Sequence, residues 1–242
     1  MSIKGQSFSG SPTGAHIATS VGNAGGLYAG GFTVMFLAKS ASSNTGFLSG
    51  WSGGVGGTSR GGLLFAIAKL FGEGDFSSGF GEGNFDDSVW RWYGYGKDPG
   101  SAHYVMHYAD LATLTWSHGE SSGAGNHSDT GTSDAFSLGM NANYALGYDS
   151  GDRAAGSLWT SHLSSSAIEA ACTNAASALA AANPAAGWLF PEATSGSPIV
   201  DFTGGGADET SRSFIATSPD PVDFDFTLSS PFRGGQALPF ML

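Results

Sequence analysis

The stretch Gly31-Phe32-Thr33-Val34-Met35-Phe36-Leu37-Ala38-Lys39 decides how the chain is read. It is an almost unbroken apolar run, rich in aromatic and β-branched residues, and it opens after Gly30. A strand with one wet face alternates apolar with polar residues. A short run without alternation fits a central strand buried on both faces. Such a strand needs a covering layer on each side of its sheet.

Reading outward from it, strand-like segments recur in both directions. Ser7–Val21 reads as two short strands around the turn Ser11-Pro12-Thr13-Gly14. Downstream come Gly46–Trp51, Leu63–Leu70, Val89–Tyr95, Tyr104–Tyr108, Leu111–Trp116, Ala135–Met140, Tyr144–Tyr148, Leu158–His162, Gly187–Phe190 and Pro198–Phe202. Between them lie the glycine-dense Gly53–Gly62, the acidic and glycine-rich Gly72–Asp87, and the polar Gly119–Ser133. Many short strands separated by Gly, Ser, Thr and Asn predict an all-β sandwich of two antiparallel sheets. One segment breaks the pattern: Ser166-Ala167-Ile168-Glu169 has the form of a capping box. Ile168, Ala171, Cys172, Ala175 and Leu179 follow at helical spacing, and Asn183-Pro184 closes the segment. One short helix is therefore expected over 166–182.

Composition bounds the rest. A chain of 242 residues suits one large β domain, expected over 1–228. The apolar tail at 229–242 is expected to pack on the domain or on a neighbouring subunit. The net charge of −11 argues against nucleic acid as a partner, since such binding relies on Lys and Arg at phosphates. Cys172 is the only cysteine, which excludes an internal disulfide and suits a buried apolar position. Met1-Ser2-Ile3-Lys4-Gly5 passes straight into a strand-like segment, so no cleaved leader is expected. No apolar run is long enough to cross a membrane as a helix.

The chemical motifs mostly fail their tests. Gly53–Gly62 lacks the Lys-Ser/Thr pair of a phosphate loop, and the glycines of 78–83 precede no βαβ unit. His103 and His107 share a strand face but stand roughly 13 Å apart, too far to chelate one ion. With His118 nearby, they read as solvated or core histidines. Retaining glycoside hydrolysis needs two carboxylates about 5–5.5 Å apart. Glu73-Gly74-Asp75 offers only the first half of a two-residue spaced acid string. No Gly-x-Ser-x-Gly elbow is present. The expectation is a protein that is not an enzyme. Calcium, which takes oxygen ligands, is the one ion the acidic residues suggest, with Asp149 and Asp152 as candidate ligands; otherwise no cofactor is expected. Trp90, Trp92, Tyr93 and Tyr95 crowd one strand, one pair on each face. One pair is expected in the core and the other is a candidate platform for stacking on sugar rings.

The order of these segments resembles the concanavalin A/laminin-G-like jelly roll found in bacterial and bacteriophage proteins. Ser7-Phe8-Ser9-Gly10 with Ala15–Thr19 resembles its opening hairpin, and Gly31–Lys39 its core strand. Gly156–Trp159 with Leu163–Ala171 is similar to its late strand and helix. Gly187–Glu192 and Asp201–Gly206 resemble its closing strand and turn. The family's mid-domain Trp-His-His-Val-Ala strand is only echoed, by Tyr104–Tyr108 or Trp116-Ser117-His118. The resemblance implies a binding role toward carbohydrate or protein surfaces. Joined to the missing leader and missing disulfides, it implies a virion protein: a head decoration or spike, or a minor tail protein. Such a protein is made in the host cytoplasm and carried on the extracellular particle. Its partners would be capsid or tail proteins in a symmetric homo-oligomer, and host surface glycan, with no membrane insertion. A leaderless bacterial carbohydrate-binding module and a degenerate glycanase are the alternatives.

Overall fold

The computed structural model describes residues 30–40, 87–101, 103–120, 150–190, 199, 201–205 and 221–228, together with the strands at 3–4, 6–9, 14–17, 46–52, 59–66, 69–73, 77–80, 136–138 and 209–213. In chain order the elements are β1 (Ile3–Lys4), β2 (Gln6–Ser9), β3 (Gly14–Ile17), β4 (Phe32–Ser40), β5 (Gly46–Ser52), β6 (Ser59–Ala66), β7 (Lys69–Glu73), β8 (Ser77–Phe80), β9 (Arg91–Lys97), β10 (Tyr104–Asp110), β11 (Trp116–Glu120), β12 (Phe136–Leu138), β13 (Ser150–Trp159), α1 (Ser165–Ala171), α2 (Ala176–Ala181), β14 (Ala186–Leu189), β15 (Glu209–Ser213) and β16 (Pro221–Val222). Two antiparallel sheets make the sandwich. One runs β11-β10-β9-β4-β13-β14, and the other β15-β3-β12-β5-β6-β7-β8. The edge of β13 is shared: β2 pairs its first half, at Ser150–Arg153, and β14 its second, at Ala155–Leu158. Among the described residues no helix is long and apolar enough to cross a membrane.

The unalternating run at 31–39 is the middle of the first sheet, and every side chain from Phe32 to Lys39 is buried. Cross-strand register sorts the residues onto two faces. Phe32, Val34 and Phe36 share one with Tyr95, Tyr93, Tyr104, Met106, Leu158 and Trp188. Met35, Leu37 and Trp92 share the other with Ala155, Trp159 and Leu189. This second face is covered by α1, α2 and the segment carrying Val222, Phe224 and Phe226. Two tryptophans pin the helical layer to the sheet. Trp92 Nε1 donates to the Thr173 carbonyl at 2.8 Å, and Trp159 Nε1 to that of Ala182 at 3.0 Å.

The helical segment departs from the expected single helix. Its N-cap is Ser164, whose hydroxyl accepts from Ala167 N–H; Ser166 lies inside the first turn. The helix stops at Cys172 because the next backbone groups bond elsewhere. Asp225 N–H donates to the Asn174 carbonyl at 2.7 Å, and Ala176 N–H to the Asp225 carbonyl at 2.8 Å. A second helix, α2, starts after that bridge.

Several strand boundaries also differ. The expected strand Leu158–His162 is only the end of β13, which begins at Ser150 and stops at Trp159. Leu63–Leu70 is divided between β6 and β7, and Gly72–Asp87 contains the end of β7 and all of β8. Leu111–Trp116 is a turn: the N–H groups of Thr113 and Leu114 both bond the Asp110 carbonyl, and Leu114 takes a positive φ of 50°. The strand begins only at Trp116 and takes in Gly119 and Glu120, so the following polar loop starts later than its composition suggests. Tyr144–Tyr148 and the 229–242 tail lie outside the described residues.

Candidate functional site

The turn after β10 sets the site. Arg91 holds its geometry: the guanidinium bonds Asp110 at the start of the turn and grips both carboxylate oxygens of Asp87, at 2.6 and 2.7 Å. That contact keeps the Asp87 carboxyl below its usual pKa. With the turn fixed at 110–114, β11 returns so that His118 lies directly opposite His107, on the face that carries Trp92. Their Nδ1 atoms stand 2.7 Å apart. Trp116, two residues before His118 and thus on the same face, stacks on it with ring planes parallel to within 1° and centroids 5.7 Å apart.

On the outer side His118 meets α1. Its Nε2 is 3.0 Å from Glu169 Oε1. An ionised carboxylate only accepts, so His118 Nε2 carries the proton there. In neutral His118 the Nδ1 is then bare and accepts from His107 Nδ1–H, which leaves His107 Nε2 without a proton. His107 itself has no exposed surface. Burial, reinforced by the nearby imidazoles of His118 and His162, pushes its pKa down to about 3, so it is neutral at physiological pH.

His162 enters from the loop after β13. Thr33 of the central strand fixes that loop, its hydroxyl donating to the Ser161 carbonyl and accepting from Leu163 N–H at 2.9 Å. The imidazole lies over Gly96, where an added Cβ would sit 3.1 Å from His162 Cδ2 and 2.9 Å from the Phe32 carbonyl. Glycine at 96 is what admits the ring. His162 Nδ1 faces Asp98 Oδ2 at 3.9 Å. The three histidines, with Val105, Glu120, Ser164 and Ser165, line an open cavity of about 390 Å³. Among the described residues no three His, Cys, Asp or Glu side chains form a ready-made metal cage.

The residues singled out in the sequence fare differently. Trp92, Tyr93 and Tyr95 have no exposed surface, so no ring of theirs can receive a sugar. The candidate platform is core on both faces, because both faces of β9 are covered. Trp90 is half-buried, with the Lys39 ammonium 5.9 Å from its ring. Asp152 is buried and committed to Lys39, 2.9 Å from its Nζ, and Asp149 lies outside the described residues. His103 and His107 do not meet in one site; the partner of His107 is His118. Reading 111–116 as a strand hid that pairing. The signal was available in Asp110, which as the first residue of a turn places His118 across from His107.

With the two sheets, the helical layer and the 201–205 turn in place, the architecture is decided. The fold is a concanavalin A/laminin-G-like jelly roll. Solved structures agree. The CBM40 of Ruminococcus gnavus IT-sialidase superposes on 72% of this chain and 98% of its own, at 17% identity and a TM-score of 0.51. The full extracellular region of zebrafish Gpr126/Adgrg6 matches 69% of this chain at 13% identity, with a TM-score of 0.50. This chain spans 23% of the zebrafish chain. At these identities the likeness is one of fold. No family model matches the sequence, and no curated protein matches it.

Proposed function

We propose that the protein is a non-enzymatic binding module that takes a short saccharide segment in the histidine-lined pocket. The observation that carries this reading is the polar wall of the pocket: Glu120, Ser165 and the histidines offer donors and acceptors, and His118 is backed by the stacked ring of Trp116. Clefts of about 300–1,000 Å³ with a few fixed polar groups suit small ligands, and this one is at the small end. No Lys or Arg among the described residues lines it, so an uncharged sugar suits it better than an acidic one. The similarity in fold to a carbohydrate-binding module of a sialidase supports the same class.

The setting we infer is the surface of a bacteriophage particle, as a head decoration, spike or minor tail protein presenting the pocket to host polysaccharide. A net charge of −11 and a lone buried cysteine support a protein that folds in a reducing cytoplasm and stays dispersed before assembly. A glycan array on the purified chain tests the ligand. Binding of a neutral oligosaccharide that falls at least tenfold in Glu120→Gln supports the module. Binding to no glycan, or release of reducing sugar from one, overturns it. Stoichiometric recovery in purified particles tests the setting.

A further inference from the structure

His107 Nε2 and His162 Nε2 are both buried and have no hydrogen-bond partner among the described residues. Leaving a buried polar atom unpaired is costly, so two in one site require an explanation. Both rings line the same cavity, and each turns its other nitrogen outward to a polar group. For His107 the outward path is Nδ1–H to His118 Nδ1, and from His118 Nε2–H to Glu169. For His162 it is Nδ1 toward Asp98. A metal-bound imidazole is held this way, with one nitrogen on the ion and the other N–H given to a carboxylate or its relay.

We propose that the pocket binds one divalent transition-metal ion of the zinc, nickel and cobalt class through His107 Nε2 and His162 Nε2. The His118–Glu169 pair orients the first ligand, and the Asp98 carboxylate faces the second at 3.9 Å. Water completes the coordination. Two imidazole nitrogens select this class over calcium, which takes oxygen ligands throughout. The site is open, so its metal is exchangeable and accessible to a bound molecule. This inference does not depend on a sugar entering the pocket.

The test is titration of the chelator-treated full chain with Co²⁺, followed by visible absorption, and with Zn²⁺ by calorimetry. The expected result is about one equivalent bound with d–d bands of an imidazole-ligated ion. His162→Gln and His107→Gln each weaken binding more than tenfold, Glu169→Gln weakens it about 10–100-fold, and His103→Gln leaves it unchanged. Because His107 is buried, circular dichroism checks the fold of its variant; His162 is partly exposed, and its variant decides the matter alone. Failure to bind either ion, or binding that survives His162→Gln, overturns the inference. Co²⁺ binding without any glycan binding upholds this site and removes the saccharide reading; glycan binding by metal-free protein that takes up no metal does the reverse.

Discussion

The two faces of the first sheet use the same strands to opposite ends. On one, Phe32, Tyr95 and Tyr104 pack edge to face and tilted, with centroids 5.3 to 6.2 Å apart. On the other, β9 presents Trp92 and then Gly94 and Gly96. The tryptophan end is closed by helices, and the glycine end opens to three histidines. A strand that alternates large with large fills a core. One that alternates large with nothing makes room for side chains from elsewhere.

That contrast can be broken at either end. Trp92→Ala removes a buried indole that touches Phe224 and bonds Thr173, and is expected to cost about 3–5 kcal/mol in urea denaturation. A loss below about 1 kcal/mol would show that the closed end is not structural. Gly96→Ala pushes a methyl against the Phe32 carbonyl and the His162 ring. It is expected to cost about 1–3 kcal/mol and to shift the His162 imidazole resonances, whereas Gly30→Ala, with open space around it, is expected to be neutral.

The histidine end also makes stability depend on pH. The folded pKa of His107, about 3, lies below its ordinary 6.5. Between those values the unfolded chain takes up the proton first. Stability from this residue is therefore full above pH 6.5 and is lost as pH falls toward 3, with a slope of up to about 1.4 kcal/mol per unit. Denaturation series between pH 7 and 4 should show that slope in the native chain and lose it in His107→Gln. The smallest effect is expected from Ser164→Ala, about 1 kcal/mol for the lost helix cap, read as a modest drop in Tm with Glu169 still in reach of His118.

The sandwich was legible because burial on both faces leaves a mark in local sequence: Phe32–Ser40 reads as a central strand without any partner in view. The helical segment was legible by its spacing, but its break was not. The break depends on Asp225, some fifty residues away, which no window on the helix contains. The aromatic cluster at 90–95 misled for a related reason. Alternation tells which rings share a face but not whether a second layer covers it. The candidate site needed more still, since it joins a hairpin register, a loop tied to Thr33 and a residue from α1. Each part is unremarkable alone: one histidine per strand, one glutamate on a helix. Only the turn at 110–114 was within reach of sequence reasoning.

The short strand β1 pairs with β16, Ile3 opposite Val222, and the segment just after β16 bridges α1 to α2. Two segments far apart in the sequence therefore wait for one another. Closing so large a loop makes folding slow, because the chain must surrender its freedom before distant contacts reward it. Until then the apolar side of the helical layer stands open to other nascent copies. The protein should accordingly refold slowly from denaturant, and its yield should fall as chain concentration rises during that wait.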